Sequence, residues 1–215
     1  MFRQCAGFFV AIPPSTSYNI DIIGKSKGKK SNNRIFVAVD GSNLYHRLKE
    51  ERADLHNLLN FDYTGFAKFL AGKGKLVRKG YYVGLVRAKP GNKKALKMMA
   101  NQHRLLTKLK KEGWDLFYGY LLKSGGKYHE KGVDVKIAVD IVVGAYENLY
   151  DRLILVSSDT DLLPALQVAR KKDKEIEYVG FSHAPSHAMI EYATETRLLR
   201  QDNLVPFVAE KKGKK

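Results

Sequence analysis

Leu153-Ile154-Leu155-Val156-Ser157-Ser158-Asp159-Thr160-Asp161-Leu162-Leu163-Pro164 is the stretch of this chain that decides the fold. Its first half is a short apolar run of the kind that forms a buried strand, and a helical pattern follows its two hydroxyls and two carboxylates. Ligands of open α/β sheets bind at the carboxyl ends of the strands, so Asp159 and Asp161 become candidate site residues. Either acid could instead cap the following helix, and this alternative stays open.

Further apolar segments alternate with helical patterns along the chain. We predict strands at 35–39, 80–86, 114–122, 153–157 and 176–181, and 197–199 could add a short edge strand. We predict helices at 44–50, 61–71, 93–112, 133–149, 162–172 and 186–194. This alternation favours an α/β fold with a mainly parallel sheet and helices on both faces. Right-handed crossovers then make a doubly wound, Rossmann-like sheet of about five strands, in the order 3-2-1-4-5, the natural arrangement.

Two more acids would reach the same crevice in that strand order. Strands 1 and 4 are neighbours where the winding reverses, and Asp40 ends strand 1. Asp134 lies near the start of the helix that leads from strand 3 to strand 4. Taken alone, Asp40 could be an ordinary turn residue and Asp134 a helix cap. Asp140 lies about 9 Å further along that helix, so it is an accessory residue or an ion-pair partner of Lys136.

Clustered carboxylates are the ligands that hard cations such as Mg²⁺ and Mn²⁺ prefer. Without a cation, several neighbouring negative charges would repel one another and raise their pKa values. We therefore predict a Mg²⁺ or Mn²⁺ site whose catalytic and metal-holding residues are Asp40, Asp134, Asp159 and Asp161. The accessory candidates are Asn43, Ser157, Ser158 and Asp140. Asn43 could equally tie its turn to strand 4, and the two serines could be capping residues.

The charge balance points to a polyanionic partner. The chain has 38 Lys and Arg against 22 Asp and Glu, a net charge of +16. Nucleic acid is the first choice for a protein this basic. The candidate nucleic-acid-binding residues are Lys97 and Arg104 on the long helix, and Lys123, Lys127 and Lys131 in the loop before Asp134. A solvated helix face is the alternative for the first two.

The two ends of the chain have a different composition from its middle. Residues 1–33 are predicted to be a leader and basic linker, residues 34–204 the folded domain, and residues 205–215 a basic tail. No stretch approaches the length of a membrane-spanning helix, so no membrane partner is expected. Cys5 is the only cysteine, which excludes an intrachain disulfide and favours a reducing, cytoplasmic setting. A homodimer is compatible with the sequence, but nothing in it specifies an oligomeric state.

Three blocks of this sequence resemble the motifs of the NYN domain, in the LabA-like branch of the PIN-like nuclease superfamily. The blocks are Val37-Ala38-Val39-Asp40-Gly41-Ser42-Asn43-Leu44, then Lys131-Gly132-Val133-Asp134-Val135-Lys136-Ile137-Ala138-Val139-Asp140, then Leu155-Val156-Ser157-Ser158-Asp159-Thr160-Asp161-Leu162-Leu163-Pro164. The resemblance spans about residues 34–200. It implies a PIN-like Rossmannoid sheet, a Mg²⁺ or Mn²⁺ site and cleavage of nucleic acid, most often RNA. The family's acidic positions map onto Asp40, Asp134, Asp159 and Asp161, and Ser158 stands where many members have Gly.

From these features we predict a metal-dependent nuclease, and specifically a ribonuclease. One alternative is a non-catalytic RNA-binding or adaptor protein that retains the fold. Another is a phosphatase of the haloacid dehalogenase type, but that class needs an Asp-x-Asp element after strand 1. Here strand 1 is followed only by Asp40-Gly41-Ser42, so the signature of that class is missing.

Overall fold

The structure is a computed structural model that describes residues 33–51, 58–88, 91–124 and 127–208. Most of the predicted leader and residues 209–215 of the predicted tail therefore lie outside the described residues. The strands are β1 (Arg34–Asp40), β2 (Lys75–Gly84), β3 (Asp115–Ser124), β4 (Lys127–Lys131), β5 (Arg152–Val156), β6 (Glu175–Phe181) and β7 (Glu195–Leu199). The helices are α1 (Gly41–Glu51), α2 (Tyr63–Ala71), α3 (Lys93–Lys111), α4 (Val133–Tyr146), α5 (Leu163–Lys171), α6 (His187–Tyr192) and α7 (Gln201–Leu204). Short 3₁₀ turns lie at Leu58–Asn60, Thr160–Leu162 and Val205–Phe207.

The described strands form one sheet in the order β4-β3-β2-β1-β5-β6-β7. All neighbouring strands run parallel except β4, which pairs antiparallel with β3. The order predicted for the five apolar strands is confirmed, and β1 and β5 are neighbours at the point where the winding reverses. The predicted count of about five strands is wrong, because the parallel part of the sheet has six strands, β3-β2-β1-β5-β6-β7. Numbered without the antiparallel strand β4, their order is 3-2-1-4-5-6.

The strands that the prediction missed or left open are polar edge strands. In β7, Glu195 and Thr196 are exposed, and Leu199 alone of its five residues is buried. The segment of β4 contains no aliphatic side chain, so it has no apolar run to detect. The prediction of a loop at 123–131 is also wrong, since Lys123, Lys127 and Lys131 lie on the paired strands β3 and β4.

Helices cover both faces of the sheet. On one face, Leu48 of α1, Phe66 of α2 and Leu109 of α3 are fully buried against the odd-numbered residues of β1. On the other face, Ile141 of α4, Leu166 of α5 and Met189 of α6 pack against Phe36 and Ala38 of the same strand. Because successive side chains of a strand point to opposite faces, a strand buried on both sides reads as a continuous apolar run.

The chain continues to pack on the domain after α7. The N–H of Asp62 donates a hydrogen bond to the carbonyl of Phe207 at 2.7 Å, and the ring of Phe207 contacts those of Phe61 and Phe66. Among the described helices, none combines the length and the apolar character that crossing a membrane requires.

Candidate functional site

Asp40 is the last residue of β1, at the carboxyl edge of the sheet and directly before α1. Its side chain is only 5% exposed. One carboxylate oxygen accepts the backbone N–H of Asn43 at 2.9 Å, as an N-cap residue does, and the other accepts the hydroxyl of Ser157 at 3.1 Å. Asp40 therefore caps α1 and, through Ser157, joins the end of β1 to the end of β5.

The pKa of Asp40 is raised above its ordinary value. Burial is the largest cause, and the negative charges of Asp134 and Asp159 add to it. The hydrogen bonds from Asn43 and Ser157 act in the opposite direction, because they stabilise the charged form. No basic side chain of the described residues forms an ion pair with this carboxylate, so its negative charge lies buried without a compensating cation.

Asp159 and Asp161 occupy the turn between β5 and α5. One carboxylate oxygen of Asp159 accepts the backbone N–H of Asp161 at 2.9 Å, so Asp159 is the capping residue of the 3₁₀ turn Thr160–Leu162. Asp159 is half-buried, whereas Asp161 is exposed in the first turn after it. The sequence left open which acid caps the turn, and the structure assigns this contact to Asp159.

Asp134 enters the site from the start of α4. Gly132, with a φ of 88°, adopts the left-handed conformation that glycine tolerates, and the helix begins at the next residue. Partial desolvation of the Asp134 carboxyl group raises its pKa, and the negative charges of Asp159 and Asp161 raise it further. The negative charges of Asp134 and Asp159 act on Asp40, and those of Asp159 and Asp161 act on Asp134, so the four acids, from three separate segments, lie at the same end of the sheet.

The accessory residues next to the acids hold the loop after β5. The side-chain oxygen of Asn43 accepts the N–H of Ser158 at 3.4 Å, which ties the start of α1 to the end of β5. The hydroxyl of Ser158 lies 3.0 Å from that of Tyr178, which in turn accepts the N–H of Ser186 at 3.1 Å. Ser157 also accepts the N–H of Asp159 at 3.2 Å. These contacts hold the loop that carries Asp159 against the end of β1, where Asp40 lies.

Asp140 takes the ion-pair role that the sequence allowed. It is 7% exposed, and its carboxylate accepts hydrogen bonds from Lys136 at 2.6 Å, Arg78 at 3.1 Å and the hydroxyl of Tyr82 at 2.8 Å. The predicted pairing with Lys136 is thus confirmed. The Asp140 carboxylate is thus hydrogen-bonded to two cationic side chains and one phenol, and these contacts attach α4 to β2.

The acids fit a hard cation in donor type and in charge. Carboxylate oxygens are the ligands that Mg²⁺ and Mn²⁺ prefer, and a cation would offset the buried charge of Asp40 and its repulsion with Asp134 and Asp159. As the side chains stand, however, no three His, Cys, Asp or Glu residues in the described part of the chain are close enough to hold an ion. The acids are therefore gathered into one region without forming a closed coordination shell.

The basic residues predicted to bind nucleic acid lie on two elements. Lys97 and Arg104 are exposed on α3, and Lys131 is exposed at the end of β4, next to Gly132. The backbone of Lys123 and Lys127 belongs to the β3–β4 pair, but their side chains lie outside the described residues. The sequence analysis missed one feature, a cavity of about 310 Å³ between α1 and α3 that begins at Gly41. The signal in the sequence was Ser42 and Tyr45, a polar and an aromatic residue two and five positions after Asp40.

Comparison with known proteins gives a family and a fold. No curated protein sequence matches the chain. Among solved structures, the chain is similar to a protein of unknown function from Vibrio parahaemolyticus RIMD 2210633, with a TM-score of 0.62 and 20% identity over 85% of this chain and 100% of that chain. An identity this low shows the fold alone. The family model of the NYN domain, which belongs to the PIN-like nuclease superfamily, matches residues 34–199. Since this match covers most of the chain, the protein belongs to the NYN domain family.

Proposed function

We propose that this protein is a metal-dependent nuclease that cleaves phosphodiester bonds, and that its substrate is RNA. The observation that carries the proposal is the set of four aspartates at the switch point of the sheet. Asp40 is buried and has no cationic partner among the described residues, and its pKa is raised chiefly by that burial and further by the charges of Asp134 and Asp159. Uncompensated charge costs stability, and proteins retain such strain at functional sites.

The acids have distinct roles in this proposal. Asp40, Asp159 and Asp161 would hold the principal Mg²⁺ or Mn²⁺, directly or through water, and Asp134 would complete that shell or hold a second ion. When bound, such an ion activates a water and stabilises the charge that develops in an in-line attack on phosphorus. The hydrogen bonds from Asn43 and Ser157 hold Asp40 in one orientation, which preserves the geometry of the site as substrate binds.

The basic surface would bind the substrate backbone. Lys131 precedes Asp134 by three residues and lies at the same edge of the sheet, so it is placed for a phosphate close to the acids. Lys97 and Arg104 would contact phosphates further along the strand, and Lys123 and Lys127 are proposed for the same role from their position on the β3–β4 pair. The three motif blocks also support placing the chain in the LabA-like branch.

Cleavage of a labelled RNA tests the proposal. We expect wild type to cleave single-stranded RNA with Mn²⁺ and to stop when a chelator is added. Asp159→Asn should lower the rate by more than about a hundredfold, because a carboxylate that holds the ion is lost. Asp173→Asn is the matched control, because Asp173 is an exposed turn residue with a φ of 57°, which Asn tolerates. Equal, chelator-resistant rates for wild type and Asp159→Asn would refute the assignment.

One observation favours an alternative, a non-catalytic RNA-binding protein or adaptor that retains the fold. The described acids do not form a set of three that could hold an ion as they stand. This alternative predicts tight, salt-sensitive RNA binding without cleavage. It also predicts that neutralising Asp159 leaves RNA affinity unchanged or raises it, since a negative charge near the phosphates is removed.

A further inference from the structure

The cavity between α1 and α3 adjoins the acidic site but takes no part in the chemistry described so far. Its volume is about 310 Å³, and Gly41 and Ser42, the two residues after Asp40, form part of its wall. Val83 and Gly84 at the carboxyl end of β2 form another part. A group bound in this cavity would therefore lie beside the first acid of the site, on the α1–α3 face of the sheet.

The lining combines an apolar body with flat aromatic rings. Leu105 and Leu106 are buried in it, and Tyr81 closes its inner end. Tyr45 and His46 stand on α1, with their rings 5.4 Å apart in an edge-to-face contact. Pockets lined by apolar and aromatic side chains with a few polar groups are typical of sites for small planar ligands.

Two neighbouring amides on α3 differ in a way that points to a ligand. The amide of Gln102 is bonded through both its nitrogen and its oxygen, because it donates to the carbonyl of Gly84 at 2.7 Å and accepts the N–H of Val86 at 2.7 Å. The amide of Asn101 also lines the cavity, and within the described part of the chain it has no hydrogen-bond partner. It offers one acceptor and two donors, which is what the edge of a nucleobase requires. The hydroxyl of Ser42 adds another group of this kind.

The entrance of the cavity on α3 is apolar. Met98 lines the cavity although its side chain is 44% exposed, so it stands at the entrance. Lys97 and Arg104 are exposed on the same helix but do not line the cavity. An apolar entrance with cations elsewhere on the same helix suits a ligand that has a planar base and a phosphate backbone.

We propose that this cavity binds one unpaired nucleobase of the RNA strand whose neighbouring phosphodiester lies at the four aspartates. This inference rests on the proposed nuclease function and names the form of substrate that the site accepts. The volume is near the lower limit for small-molecule pockets, about 300 Å³, which suits a ligand of the size of a single base. A base that is stacked and paired in a duplex would have to leave the helix first, so the protein acts on single-stranded RNA.

Binding measurements test the cavity separately from cleavage. The probe is a fluorescent single-stranded RNA of about 12 nucleotides, held in chelator at about 50 mM salt, where phosphate contacts keep binding measurable. Two variants change the cavity: Met98→Trp fills its entrance, and Asn101→Leu removes the free amide at similar volume. Met99→Trp is the matched control, because Met99 is 39% exposed on the same helix but does not line the cavity.

We expect both cavity variants to weaken binding by about tenfold, the effect of losing one stacked base, while Met99→Trp stays within about twofold of wild type. A second series of RNAs carries one abasic residue each, at successive positions. At one position the missing base should weaken binding to wild type by the same factor of about ten. At that position it should not weaken binding to Met98→Trp any further. Equal binding by Met98→Trp and Met99→Trp, or an affinity that no abasic position changes, would overturn the proposal, as would the absence of RNA binding by wild type. If binding depends on a base but no RNA is cleaved, the proposed nuclease function is refuted and the base-binding cavity is supported. If RNA is cleaved but binding does not depend on any base, the cavity proposal is refuted and the nuclease function is supported.

Discussion

Replacing Asp40 by Asn should stabilise the metal-free protein at neutral pH. The Asp40 carboxylate is 5% exposed, and no cation of the described residues is paired with it. Asn can keep both of its hydrogen bonds, because its side-chain oxygen can accept the N–H of Asn43 and its amide can donate to the hydroxyl of Ser157. The substitution therefore removes a buried charge at nearly constant shape.

The size of the gain follows from two opposing contributions. A buried ion loses several kcal/mol of hydration, and hydrogen bonds to a charged group return about 1.5–3 kcal/mol each. The two bonds to Asp40 return about 3–6 kcal/mol, which is of the same order as the hydration loss, so we take the net cost that the variant avoids from the range of single stabilising substitutions, about 1–2 kcal/mol. For a chain of this length, each kcal/mol corresponds to about 2–4 °C in melting temperature. The variant should thus melt about 2–8 °C higher at pH 7 in chelator.

The gain should depend on pH in a defined direction. Burial raises the pKa of Asp40, so between its ordinary value of 3.8 and its native value the folded state holds a proton that the unfolded state has lost. Wild-type stability therefore falls as pH rises through this window, and the full cost of the charge is present above it. Urea unfolding from pH 4 to pH 8 should show the two proteins converging at the acidic end.

Metal and a control variant make the test specific. Mn²⁺ should stabilise wild type and leave Asp40→Asn unchanged, because a ligand stabilises only the protein that binds it. Asp173→Asn, in an exposed turn, should match wild type at every pH. If Asp40→Asn is less stable than wild type at pH 7 in chelator, or if its advantage does not change with pH, then Asp40 does not carry an uncompensated buried charge.

Two further substitutions test the contacts around the site. Ser157→Ala removes a hydrogen bond that lowers the pKa of Asp40, so this pKa should rise further. Urea unfolding should show that the free energy of unfolding falls by about 1–2 kcal/mol at pH 7 and by less at pH 4. An equal decrease at both pH values would contradict this account. Asp140→Ala leaves Arg78 and Tyr82 without their shared acceptor and should cost about 2–3 kcal/mol, below the value for a fully buried pair because Arg78 is 25% exposed. Cleavage per folded molecule should then be unchanged, and a specific loss of activity would instead place Asp140 in the site.

The parts of the fold that were predictable are those written in local sequence. The central strands are apolar on both faces, so each appears as an uninterrupted run such as 35–39 or 153–156. Their order is the natural doubly wound arrangement among those to which right-handed crossovers restrict the sheet, and this restriction does not depend on sequence detail. The edge strands β4 and β7 were missed or left open because a strand with one neighbour keeps polar residues, and only pairing with that neighbour defines it.

In the candidate site, too, some features follow from local sequence and others from tertiary contacts. Sequence alone determined which acids follow the strands and begin α4, because parallel strands place their carboxyl ends at one edge. Only the tertiary structure decided which acid caps the turn after β5. It also decided that Asp140 forms hydrogen bonds with Arg78 and Tyr82, and that a cavity lies beside Asp40. These features depend on contacts such as Ser157 with Asp40, 117 residues apart in the chain. No local pattern encodes such a contact, because it exists only after β1 and β5 have paired.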